Sequence, residues 1–598
     1  MRWTPAIAVS VAAMMLAVPA TTTWAESSGH LTAATVDLAL GKPYTVAAGI
    51  PDAFFSTQNV WKDSGSVLTN GQFANPNIFS GGQDNHQWVG YSHQDNRTIT
   101  LNLGQVDTVH SISQDFLNSP GYGVFLPERA IFSVSTNGTD WQRIADVPSP
   151  VPISTKTVES VAFQTQNLNI SAQYVRIQFP VDVFVFSDEI QVMGQPGIQS
   201  GSKPAVPANS PLQNTPAAGY ASTSQTNGVN DLLLTPLWLS ANYNQTVYPW
   251  NLTTSQWLPM ITYDSPTGQI KDWYFPSILA ELGAGSNTSN QVGWTTWIQR
   301  LFNLGPYATG TLTELPALNQ AVSEGQAALN DPGHKVNVVI TIPYPRTNIS
   351  DWGTLDGQTI DFQNPTNRIA AVTWFIHEVE AAWSAAHLSN LTLAGFYWQN
   401  ESVPLQVPGE VHLVQATANA IHQQGQKFYW IPFYGATGYK IWRKLGFDVA
   451  IVQPNYAFNP AITTERFQAV AETAQQYGLG VEMEFPYAAA NPGALLGTNR
   501  YLTYQDAAMA YGYAKGVPLA WYQNTQGLLT DFYGHEVLYN LIYQFLKGTY
   551  ASEAYVANSS GSYTLQPTSP TFPAAQAVSV PLGINSLAGV LPSKGSTN

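Results

Sequence analysis

Between about Leu38 and Gly197 apolar and polar residues alternate in short runs broken by Gly, Asn and Pro, as in Thr98–Gly104, Ala130–Ser135 and Tyr174–Phe179. A period of two marks half-buried strands, and strands at this spacing with no helical period between them predict a β-sandwich. From about residue 231 the pattern changes. Eight short apolar runs, Leu232–Trp238, Trp273–Leu279, Val336–Pro343, Leu393–Asn400, Phe428–Phe433, Val449–Pro454, Gly480–Phe485 and Pro518–Tyr522, are spaced by longer segments. Among those segments Asn367–Ala386, Val411–Gln424, Thr464–Tyr477 and Tyr504–Lys515 carry the clearest helical period. Eight strands alternating with helices predict a (β/α)8 TIM barrel. The first two runs both contain proline, and Leu258–Tyr263 competes with the second for its place. A doubly wound sheet is the alternative, but no Gly-rich phosphate loop follows any run.

Residues 198–230 are rich in Ser, Pro, Ala, Gly, Asn and Gln, with no apolar period, and read as a flexible linker. The chain beyond residue 550 has a similar composition and predicts a loosely ordered tail, with a small capping strand pair as the alternative. At the other end Arg2 precedes the apolar run Ala6–Ala20, then Thr21–Ala25 and the polar Glu26, Ser27 and Ser28. This is the form of a secretory signal peptide cleaved after Ala25, and the run is shorter than the ~20 residues a membrane span needs. The expected order is therefore signal peptide (1–25), sandwich (31–197), linker (198–230), barrel (231–549) and tail (550–598).

Composition adds three constraints. At 598 residues the chain has material for two cores. Charged residues make up 10% against a usual ~25%, and the net charge of −15 leaves no basic patch for nucleic acid. No cysteine is present, which removes disulfides, thiolate nucleophiles and cysteine-held metal. An exported protein of this kind is held by packing alone, and its charge-poor, acidic exterior suits an acid habitat outside the cell or at its surface.

The candidate chemistry lies in two apolar runs that carry carboxylates. Asn400 and Glu401 end the fourth run, and Glu482 and Glu484 alternate with Val481, Met483 and Phe485 in the seventh. A buried ionised carboxylate loses several kcal/mol of solvation, so its presence on core strands calls for a reason. A barrel places its site at the C-terminal ends of its strands, where Glu401 and Glu484 would face one another. The period of two sends Glu482 and Glu484 to the lumen together. Two opposed carboxylates suit glycoside hydrolysis, in which one stays protonated and the other ionised. Glu484, nearer the mouth, is the expected nucleophile, with Glu482 as a neighbouring partner or as the nucleophile itself. Aromatic residues fall at the same strand ends: Trp238, Tyr344, Trp398, Tyr434, Tyr456, Tyr487, Trp521 and Tyr522. Such rings can stack on the CH faces of sugars or simply fill the core.

Other chemistries lack their residues. His377-Glu378 and His535-Glu536 have no second histidine at zinc-helix spacing, and no Gly-x-Ser-x-Gly elbow is present. The competing reading from another class is a noncatalytic surface protein that only binds glycan.

Three resemblances extend this reading. Gly41–Tyr44, Leu68–Gly71, Val124–Pro127, Ser135–Trp141 and Ser187–Ile190 follow in an order that resembles the discoidin, or coagulation factor type C, family of galactose-binding-like jelly rolls. That resemblance implies carbohydrate or surface binding through loops at one end. It also implies a structural calcium near Leu68–Gly71, with Asp63 and Asn70 as candidate ligands and a plain hydrogen-bonded turn as the alternative. Asn400-Glu401 after the fourth run, with Glu484 after the seventh, is similar to the pattern of retaining (β/α)8 glycoside hydrolases. The likeness implies Glu401 as acid/base, Asn400 on the sugar 2-hydroxyl, Tyr456 orienting Glu484 and Trp521 as the floor of the sugar site, with no cofactor for catalysis. The segment Ile261–Phe275 resembles the uncharacterised family called domain of unknown function 4855, although Pro276 stands where that family carries Asp.

Overall fold

The computed structural model describes residues 34–48, 61, 63–80, 87–206 except 153–154, 218–237 except 227, 251–485 except 284–285, 406 and 408, and 495–575 except 524–526, 535–536, 558 and 560–562. The expected signal peptide lies outside these residues.

Tyr44–Ala48, Val89–Asn118, Arg129–Ser135, Gln142–Pro148, Glu159–Gln164 and Ile170–Gln195 build the N-terminal β-sandwich. Ile99, Leu101 and Leu103 alternate into its core and meet Val175, Ile177 and Phe179, all fully buried. Each such side chain contributes roughly 1.5–3 kcal/mol when taken out of water. Asp63 Oδ1 accepts hydrogen bonds from the Tyr44 hydroxyl at 2.6 Å and from Gly65 N–H at 2.7 Å, and Asn70 Oδ1 accepts one from Gln72 N–H at 2.7 Å. These are contacts of the kind made in the hydrogen-bonded turn given as the alternative.

The second region contains a closed barrel of eight parallel strands: Leu232–Leu237, Ser277–Leu282, Val336–Ile342, Leu391–Trp398, Lys427–Trp430, Val449–Val452, Gly480–Glu484 and Leu519–Tyr522. Helices lie on the connections, and Pro365–Ala386 shows how they start: Asn364 caps Thr366 N–H at 3.0 Å while Pro365 occupies the first turn, where its missing N–H costs nothing. His377 and Glu378 sit exposed on this helix, as ordinary surface residues. Alternation divides each strand. Leu232, Leu234, Leu279, Val339, Tyr397, Tyr429, Ile431, Val449, Ile451 and Ala520 form one apolar cluster inside the barrel, while their sequence neighbours pack against the helices. Among the described residues no helix is long and apolar enough to cross a membrane.

Two boundaries differ from expectation, and in the tail the stated alternative holds. The second strand is Ser277–Leu282 rather than Trp273–Leu279, because Thr262–Asp264 and Ile270–Trp273 pair as a separate hairpin and Pro276 precedes the strand. The second half of the expected linker is fastened to the barrel: Ala221 N–H bonds Leu479 O at 3.1 Å, Thr223 N–H bonds Gly516 O at 3.0 Å, and Val229 packs into the lumen cluster. In the expected tail, Glu553–Ala557 and Tyr563–Pro567 form the capping strand pair, held where Asn499 and the Tyr555 backbone exchange hydrogen bonds of 2.8 and 3.1 Å.

Candidate active site

The carboxylates converge because strand parity aims them the same way. In the seventh strand Val481 and Met483 join the outer core, which leaves Glu482 and Glu484 inward and buried. Glu401 follows the fourth strand and stays exposed at the mouth. A fourth carboxylate, Glu281, joins them from the second strand. Leu279 faces the lumen, so the period of two brings Glu281 inward one step nearer the mouth. Placing that strand over Trp273–Leu279 ended it before this residue. A strand opening at Ser277, after the proline, would have contained it.

Glu484 is the best-supported of the four. The Tyr504 hydroxyl donates to Oε2 at 2.5 Å, and Asn455 Nδ2 donates to Oε1 at 3.2 Å. Asn455 is itself fixed: its Oδ1 accepts from Tyr434 N–H at 2.8 Å, and its Nδ2 also donates to Gln453 Oε1 at 2.9 Å. Its φ of 52° is a left-handed conformation that asparagine tolerates better than most residues. Burial pushes the Glu484 carboxyl up to about 7, and Tyr504, Asn455 and the nearby Arg466 charge hold it from rising further.

The others differ by surroundings. Burial drives Glu482 well above the ordinary range, and the charges of Glu484, Glu401 and Glu281 add to it. Glu281 is pushed up to about 8 by burial and then by the charge of Glu401. Glu401 is raised by burial and partly relieved by a hydrogen bond with Gln453. At neutral pH the set therefore holds both protonated and ionised carboxyls, the mixture that acid and base roles require.

The expected aromatic residues mostly face away. Trp521 packs on Phe275 and Phe545, and its Nε1 donates to Asp231 Oδ1 at 3.1 Å, so it is no floor for a ligand. Trp398 is buried in the outer core against Tyr344 and Phe428. The Tyr344 hydroxyl is taken by Glu410 Oε1 at 3.0 Å, and Tyr434 lies buried under Arg466. Tyr456 is buried against Phe467 and Arg500, and the orienting role expected of it falls to Tyr504 and Asn455. Nothing local in the sequence marks Tyr504, which reaches the site from the helix Leu495–Tyr511. Asn400 remains at the mouth, half-buried, its carbonyl holding Trp430 Nε1 at 2.9 Å. Tyr522 is the inward ring of the eighth strand, and Phe458 stands edge-on to it with 51% of its surface exposed. Trp238 and Tyr487 lie outside the described residues.

Residues 242–547 match the model of the family described as a domain of unknown function, DUF4855. The chain belongs to this family. All four carboxylates fall within the matched residues. No curated protein matches the chain. Among solved structures, a chitosan-binding module from a Paenibacillus sp. IK-5 chitosanase/glucanase is 18% identical, covering 26% of this chain and 98% of its own, with a TM-score of 0.16. The C-terminal domain of a Bacteroides fragilis chitobiase is 15% identical over 26% and 97%, at 0.19. The module CBM32-3 of a family 31 glycoside hydrolase from Clostridium perfringens is 12% identical over 27% and 95%, also at 0.19.

Proposed function

We propose that this DUF4855 protein is a secreted glycoside hydrolase whose (β/α)8 barrel cleaves a poly- or oligosaccharide by double displacement and whose N-terminal sandwich binds glycan. The observation that carries the reading is Glu484: a buried carboxylate at the mouth, held by two donors that favour its ionised form, beside Glu281 and Glu482, whose carboxyls burial and neighbouring charge raise. In the first step Glu484 attacks the anomeric carbon as the glycosidic C–O bond breaks, and Glu401 gives its proton to the leaving oxygen. In the second step Glu401 takes a proton from water, which displaces the sugar and restores the Glu484 carboxylate. Glu401 is open to water in the free protein, and a sugar seated over it strips that water and raises its carboxyl toward the protonated form the first step needs. Glu482, the deeper and more strongly raised of the pair, is the poorer nucleophile because burial and the charges of Glu484, Glu401 and Glu281 all disfavour its charged form.

The test is a panel of polysaccharides and aryl glycosides with single variants. Glu401→Gln slows substrates with poor leaving groups by roughly 10²–10⁴-fold and spares activated aryl glycosides more. Glu484→Gln stops turnover of both. A dead Glu482→Gln beside an active Glu484→Gln moves the nucleophile two residues down the strand, and full activity in all three folded variants removes the catalytic reading.

A further inference from the structure

Glu281 has no part in the double displacement, yet its position is difficult to explain as scaffolding. It lies one residue before the end of the second strand, where Ala280 pairs with Ile340 and Thr341 with Tyr397. Glu281, Thr341 and Tyr397 therefore form one inward row directly above Leu279 and Val339. Thr341 Oγ1 donates to Ala280 O at 2.9 Å, and the Tyr397 ring fills the lumen, so neither offers Glu281 a neutralising charge. The titratable groups that sense Glu281 are Glu401 beyond the fourth strand, Tyr397 on it and Glu482 on the seventh strand. On its other side the register partner is Pro236 of the first strand, which has neither charge nor N–H. Glu281 Oε2 is buried and, among the described residues, has no hydrogen-bond partner.

A buried carboxyl oxygen with no partner costs on the order of 1–3 kcal/mol, which a protein recovers when a ligand supplies the partner. The carboxylic acid form carries a donor as well as an acceptor, while the carboxylate accepts only. We propose that Glu281 is a substrate-binding residue that works as a neutral carboxylic acid, donating its proton in a hydrogen bond to a hydroxyl of the sugar held between Glu401 and Glu484. This inference rests on the glycosidase reading and adds a residue and a protonation state to it. A neutral Glu281 also spares Glu401 and Glu484 a third negative charge at the mouth. Burial and the Glu401 charge hold Glu281 near 8, so the donor is lost as pH rises through that value. A hydroxyl-rich, uncharged sugar suits this donor. An anionic sugar, such as a uronic acid, meets four acidic groups and no complementary charge from Glu281.

The experiment uses the full mature chain and whichever aryl glycoside of the panel it turns over. Wild-type kcat/KM is expected to fall above about pH 8, mainly through KM. In Glu281→Gln the carboxamide still donates but cannot ionise, so the KM-borne alkaline fall disappears. Glu281→Leu raises KM roughly tenfold at pH 6.5, the size of one neutral hydrogen bond, with a smaller change in kcat. A wild-type-minus-Glu281→Gln infrared difference spectrum should show a protonated carboxyl band at pH 6.5 that fades by pH 9. An unchanged alkaline limb in Glu281→Gln, or no such band, overturns this inference while leaving the glycosidase reading intact. No turnover by the wild type on any member of the panel removes both.

Discussion

Replacing Tyr504 with Phe tests the geometry of Glu484 without touching a carboxylate. The Tyr504 hydroxyl donates to Glu484 Oε2 at 2.5 Å and accepts from Tyr456 N–H at 3.1 Å and Ala457 N–H at 2.9 Å. A hydrogen bond to a charged group contributes about 1.5–3 kcal/mol, and its loss here disfavours only the ionised form of Glu484. At about 1.4 kcal/mol per unit, the carboxyl should move from about 7 upward by roughly one to two units. A nucleophile must be ionised, so the acid limb of kcat/KM shifts toward alkaline pH by the same amount. At pH 6 the ionised fraction, and with it kcat/KM, falls roughly 10- to 100-fold relative to wild type, and that deficit narrows by pH 9. The assay is kcat/KM against pH from 4 to 9, with circular dichroism and thermal melting to register the two N–H groups that lose their acceptor. A profile scaled down uniformly at every pH, with the fold intact, would refute the claim that Tyr504 acts by holding Glu484 ionised.

Two further outcomes concern stability. Asp188 and Glu189 in the sandwich and Glu314 in the barrel are raised by burial to about 7, 8 and 8, so their contribution to stability is complete below the unfolded values near 4 and is lost as pH rises through 7 and 8; melting should be higher at pH 5 than at pH 9, and the reverse order would contradict the acid-adapted reading. A chain begun at Ala218 should melt several degrees above one begun at Asp231, since the shorter chain loses the Ala221 and Thr223 backbone bonds and roughly 1.5–3 kcal/mol from burial of Val229; equal melting would return residues 218–230 to the role of a free linker.

The barrel was readable because its strands are buried on both faces and stand out as apolar runs, but the second was displaced by four residues. Trp273, Tyr274 and Phe275 are as apolar as a strand, and only pairing shows that Trp273 ends a hairpin with Thr262. That displacement hid Glu281, while in residues 218–230 and in the tail, where the alternative strand pair forms, low apolar period reports little about backbone bonds to a neighbouring surface. The aromatic residues at the strand ends divide by a different rule. Parity within one strand says which residues share a face, and in Gly480–Glu484 the glutamates mark that face as the lumen. In Leu519–Tyr522 no residue marks it. The choice between Trp521 and Tyr522 depends on the pairing of Glu484 with Tyr522, a register between strands that no local pattern contains. Once that register is known, Tyr522 must point inward beside Glu484 and Trp521 outward onto Phe545. The same logic separates Tyr397 from Trp398 in the fourth strand: the lumen surface nearest the carboxylates is made by Tyr397, adjacent in sequence to the ring expected there, and by Tyr522, one of the two rings offered by the eighth strand.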